Sequence, residues 1–75
     1  MRYPYYAMCV DNSGHEASLL LGKVYQVIKP LVNDWPTWLR VIDEEGEDYL
    51  YPAKRFVPIE LPPAAKKAVA ASVAT

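Results

Sequence analysis

Apolar positions come in short clusters separated by turn-forming residues. Tyr3 to Val10 is aromatic and apolar, and the cluster stops at Asp11-Asn12-Ser13-Gly14. That tetrad is a turn signal: Asx side chains bond nearby backbone amides, and glycine accepts positive φ. Leu19-Leu20-Leu21 runs into Gly22, and Lys23 to Ile28 is rich in β-branched and aromatic residues and is closed by Pro30. Such a run reads as a strand. Leu31 to Pro36 reads as a loop, and Thr37 to Asp43 as the next strand. Glu44-Glu45-Gly46-Glu47 predicts a hairpin turn, with glycine where φ must be positive, and Asp48 to Tyr51 is its return strand. Pro52 to Phe56 predicts a 3₁₀ turn, and Val57-Pro58-Ile59 a short closing strand.

Prolines at 4, 30, 36, 52 and 58 exclude a long helix before residue 60. Pro4 predicts that the first strand starts on a sheet edge. Pro62-Pro63 ends the strand-rich part, and residues 64–75 hold six alanines and two lysines. Alanine favours helix, but this length is marginal in water unless docked. The expectation is one β domain over residues 1–61 followed by a tail over 62–75, frayed or weakly helical. Tyr25, Val27, Leu39, Val41 and Leu50 are the expected inward positions.

A chain of 75 residues buries only about 60% of the surface its unfolded form exposes. One cysteine, Cys9, permits no internal disulfide. Cys9 and the single histidine, His15, cannot supply the four ligands of a structural zinc. The apolar core must hold the fold, and no metal or cofactor is expected. A lone thiol, no leader pattern and no apolar run near the roughly 20 residues of a membrane span predict a cytoplasmic protein with no membrane contact.

Eight Lys+Arg against nine Asp+Glu give a net charge of −1. That balance argues against nucleic acid as a partner, because phosphate binding needs many cations. Lys54 and Arg55 are too few to change this. Cys9, mid-strand among apolar residues, reads as a small buried hydrophobe rather than a nucleophile. His15 reads as an exposed loop residue. The five carboxylates Asp43, Glu44, Glu45, Glu47 and Asp48 fall within six positions and read as a solvated turn that blunts a sheet edge. Gly-rich phosphate loops, catalytic-triad spacing and metal motifs are all missing, so no enzyme activity is expected.

Several segments resemble SH3 domains. Ala7-Met8-Cys9-Val10-Asp11 resembles their opening Ala-Leu-Tyr-Asp-Tyr strand, and Gly22-Lys23-Val24-Tyr25-Gln26-Val27 their diverging turn and second strand. Trp35 and Trp38 lie where the family carries a Trp pair, and Tyr49-Leu50-Tyr51-Pro52 with Phe56-Val57 resembles its closing motif. The likeness covers residues 5–61. The chain is also similar to small stand-alone SH3-like proteins of bacteria and phages. They share Cys-x-Asp-Asn-Ser-Gly, Gly-Lys-x-Tyr-x-Val, Asp-Glu-x-Gly and Tyr-Pro-x-x-x-Phe with it.

The resemblance implies an all-β, five-stranded antiparallel SH3-like barrel. It also implies an interaction module that holds an extended peptide or protein partner in an aromatic groove. Trp35, Trp38, Tyr49, Tyr51, Pro52 and Phe56 would form that groove; the other reading of the same rings is core or rim packing, since aromatics supply much of the burial in a small barrel. Asp11, Glu16 and Asp34, on neighbouring loops, would select a basic residue on the partner. Cys9 stands where the family has a groove aromatic, and Phe56 lacks the hydroxyl that the family uses on a ligand carbonyl. A second reading is a homo-oligomeric assembly or accessory subunit of phage or mobile-element origin. A small pore-type reductase on the same scaffold is the weakest reading, because their Gln-Ile-Tyr motif is missing.

Overall fold

In a computed structural model, which describes residues 2–73, five antiparallel strands form one sheet. They are β1 (Tyr5–Cys9), β2 (Val24–Ile28), β3 (Trp38–Ile42), β4 (Asp48–Pro52) and β5 (Phe56–Ile59), with a 3₁₀ turn over Ala53–Arg55 before β5. The spatial order is β4-β3-β2-β1-β5. β4 and β5 are the two edges, joined in the chain through the 3₁₀ turn. One helix, α1 (Pro63–Val73), follows the sheet and packs against β2. Docking explains why an alanine-rich segment of this length is helical, since tertiary contact offsets the cost of nucleation. Residues 74 and 75 of the expected tail, and Met1, lie outside the described residues.

The edges explain where proline is tolerated. Pro58 pairs with Ala7 on the edge strand β5, and Pro52 closes the edge strand β4. An edge strand leaves one row of N–H groups unpaired, so the missing donor costs little. Pro4 was expected to mark an edge, but β1 lies inside the sheet between β2 and β5. Proline is accommodated because β1 starts only at Tyr5.

The core comprises Ala7, Cys9, Leu19, Tyr25, Val27, Val41, Tyr51 and Phe56, with Tyr5 and Leu39 packed against it. On β2 and β3 the inward set is the expected one. On β4 the phase differs. Tyr51 is buried and faces the core with Leu39, its register partner, while Leu50 is half-buried opposite Arg40. Leu50 was expected inward on hydrophobicity. The ladder decides otherwise, because a shift of one residue exchanges the two faces.

The β3–β4 hairpin closes through Gly46, at φ 76°. Its carboxylates are not all solvated. Asp43 is buried, accepting hydrogen bonds from the Tyr51 hydroxyl at 2.9 Å and the Glu45 amide at 2.9 Å. Glu44 accepts from the Tyr25 hydroxyl at 2.6 Å and pairs with Lys23. Tyr25 in turn accepts from the Leu20 amide at 2.7 Å. The hairpin is thereby locked to the β1–β2 loop, and the Glu44 amide also donates to Ser18 O at 2.9 Å.

Candidate functional site

The β2–β3 loop carries its aromatic pair on a rigid frame. The Asp34 carboxylate accepts from the Leu31 amide at 2.9 Å and from Arg40 Nε and Nη2, each at 2.8 Å. The guanidinium holds the Asp34 carboxyl down at about 2, below the ordinary carboxylate value. Arg40 spans from there to Asp48 on β4, at 2.7 Å. Bidentate Arg–carboxylate pairs fix geometry as well as charge. Two turn hydrogen bonds follow, Asp34 N to Leu31 O and Trp38 N to Trp35 O. The loop that results shows its apolar residues to solvent. Leu31 and Val32 are exposed, Val32 almost completely at 96%.

Trp35 and Trp38 meet edge-on, with ring centroids 4.9 Å apart and planes at 67°. Trp35 is 58% exposed, whereas Trp38 is half-buried where β3 begins. Trp38 is the register partner of Pro52, and the Ala53 amide donates to Thr37 O just beyond it. From Pro52 the 3₁₀ turn leads to Arg55, which donates to Asp11 O at 3.1 Å and lies 3.5 Å from the Asp11 carboxylate. Arg55 O accepts from the Val10 amide. Trp35, Trp38, Pro52, the 3₁₀ turn and the start of the β1–β2 loop are therefore joined in sequence by direct contacts.

The six expected groove residues do not stay together. Trp35, Trp38 and Pro52 do. Tyr51 and Phe56 are core residues, 4% and 5% exposed, with rings 6.2 Å apart; Tyr25 lies 6.4 Å beyond Phe56. Tyr51 also donates to Asp43, and burial together with that carboxylate pushes its phenol up to about 12. Strand geometry explains the split, because successive residues point to opposite faces. Pro52 therefore cannot share a face with Tyr51. Tyr49, on the Tyr51 face but near the hairpin end, is 52% exposed. It lines a shallow cleft of about 250 Å³ with His15, Ser18 and Glu45. Neighbouring Glu47, through charge and a hydrogen bond, raises the Tyr49 phenol above its ordinary value. His15 is exposed, as expected, yet its ring also covers buried Tyr51 edge-on at 5.3 Å.

The three acids also differ in what they can offer. Asp34 is consumed by Arg40. Asp11 accepts from the Ser13 amide and hydroxyl, which with Arg55 hold its carboxyl below the ordinary value. Glu16 accepts from the Gly14 amide, and backbone N–H groups lower its carboxyl likewise. Asp11 and Glu16 are ionised and reach solvent, so they remain able to meet a cation. Among the described residues no group of three His, Cys, Asp or Glu is placed to hold a metal ion. No helix there is long and apolar enough to cross a membrane.

Arg40 was missed in the sequence. Its signal was positional: an arginine between inward Leu39 and Val41 must face outward, where two aspartates reach it. Comparison with protein-family models, with curated proteins and with solved structures finds no match.

Proposed function

We propose that the chain is a non-enzymatic interaction module whose sheet curls as an SH3-like barrel and whose Trp35–Trp38–Pro52 surface grips an extended segment of a protein partner. The observation that carries this reading is the exposed Trp35 ring, set edge-on against Trp38 beside Pro52 and mounted on a loop that the Asp34–Arg40 pair makes rigid. An exposed tryptophan held in place loses little entropy when a ligand arrives, and flat aromatic walls suit an extended, preorganised chain. The strand order, the 3₁₀ turn before β5 and the contact of that turn with the β1–β2 loop support the same scaffold. Asp11 and Glu16, past Arg55, are the acids that would favour a basic residue on the partner. Asp34 has no such role, since Arg40 holds it and its side chain is only 7% exposed, against 45% for Asp11.

The test is an NMR titration of labelled protein with a library of extended peptides containing proline and arginine. Both indole N–H signals should shift with saturation, and Trp35→Ala should abolish the response. Peptides that leave both indoles unmoved would end this reading.

A second reading rests on Leu31, Val32 and Trp35, which stand exposed together on one loop. A second copy of the chain covering them would make this face a homo-oligomer interface. Sedimentation equilibrium separates the two: a monomer at all concentrations excludes self-association.

A further inference from the structure

Tyr6 is 7% exposed, yet it is no part of the core cluster. It alternates with Ala7 and so lies on the opposite face of β1, paired with Gln26 of β2 and Ile59 of β5. Its hydroxyl makes no hydrogen bond among the described residues and is not a buried unpaired atom either, so the ring is buried while the O–H reaches solvent. A phenol that packs its apolar body against the protein and keeps its polar tip in water leaves that donor free for a ligand.

Tyr6 lines a cleft of about 380 Å³ between the N-terminal segment, the end of β5 and α1. Ile59 and Leu61 give this cleft apolar walls, and Arg2 and Lys66 bring cationic side chains to it. Neither cation has an ion-pair partner among the described residues. Glu60 is the one carboxylate among the lining residues, so two positive charges less one negative leave a net +1. An apolar cavity of this size with a few convergent polar groups has the make-up of a small-molecule site.

We infer that this cleft binds the carboxylate of a small monoanionic acid with an apolar body, the Tyr6 hydroxyl donating to it and Arg2 and Lys66 flanking it. The charge count favours a monoanion: a dianionic phosphate would exceed the available positive charge and face Glu60. The acid can be a free molecule or the C-terminal carboxylate of a peptide, since both present the same group to the same donors. Because Lys66 belongs to α1 and Tyr6 to β1, the ligand also bridges the helix to the sheet. The site shares no residue with the Trp35–Trp38–Pro52 surface.

The test is an amide-resolved NMR titration of the full chain with 3-phenylpropionate and N-acetylphenylalanine, each beside its uncharged amide. Both acids should move the amides of Tyr6, Ile59, Glu60 and Lys66 saturably, with millimolar dissociation constants, and the amides should not. The tighter of the two acids identifies the source of the carboxylate. Tyr6→Phe and Lys66→Gln should each weaken binding about fivefold or more. Lys66 is exposed, so its variant keeps the question open to measurement even if Tyr6→Phe unfolds. Equal binding of the uncharged amides, no shifts at the cleft, or unchanged affinity in Lys66→Gln would overturn the proposal.

Discussion

Arg40 holds Asp34 through two parallel hydrogen bonds of 2.8 Å, and the side chain of Asp34 is left 7% exposed. This pair joins the β2–β3 loop to the sheet and sets the posture of Trp35. Its pH dependence has a defined sign. The Asp34 carboxyl sits at about 2 against an ordinary 3.8, so its contribution to stability is fully present above 3.8 and disappears as pH falls towards 2. Thermal unfolding of the wild type should show that loss of Tm across the window. Asp34→Asn should start lower at neutral pH and lose less within it. Parallel curves for the two proteins would show that the pair does not stabilise the fold.

Tyr51 and Asp43 form the corresponding buried contact on the other side of β4. Tyr51→Phe keeps the ring and removes the donor, leaving one Asp43 oxygen without a partner in a buried site. That should cost about 1–3 kcal/mol, or a fall in Tm of about 4–8 °C per kcal/mol for a domain of this size. Urea unfolding measures it, and an unchanged midpoint would mean that water replaces the hydroxyl.

Cys9 is fully buried on the core face of β1, and burial raises its thiol above the ordinary value. Thiol-specific reagents should therefore react slowly in native buffer and rapidly in denaturant. Cys9→Ala should retain the fold, because cysteine acts here as a small apolar residue. Rapid stoichiometric labelling of the native protein would place the thiol outside the core.

Two substitutions separate packing from recognition. Leu19→Ala opens a cavity at a residue with no exposure and should cost about 2–5 kcal/mol by urea unfolding. Trp35→Ala, at a largely exposed ring, should cost no more than about 1.5 kcal/mol, the scale of an aromatic pair. If it costs as much as Leu19→Ala, the indole is structural and the proposed surface loses its anchor.

Local rules were enough to read the strand and turn order. Alternation, proline and glycine act over a few residues, so Lys23 to Ile28, the Gly46 hairpin and the 3₁₀ turn after Pro52 could be located from composition alone. The burial of Cys9 was legible for the same reason, whereas the Trp35–Trp38 pair was expected only from the resemblance to SH3 domains. The phase of β4 was not. Tyr51 and Leu50 are both apolar enough to point inward, and only the β3–β4 register chose between them. That choice took Tyr51 into the core and left Pro52 with Trp38, dividing an aromatic set that looked continuous along the chain. Nor could the sequence say that Asp34 would spend its charge on Arg40, or that Tyr6 would be buried away from the core beside a helix 60 residues later in the chain. Periodicity specifies which residues share a strand face. Which faces meet, and which polar groups find each other there, follows from long-range pairing that no short window of sequence contains.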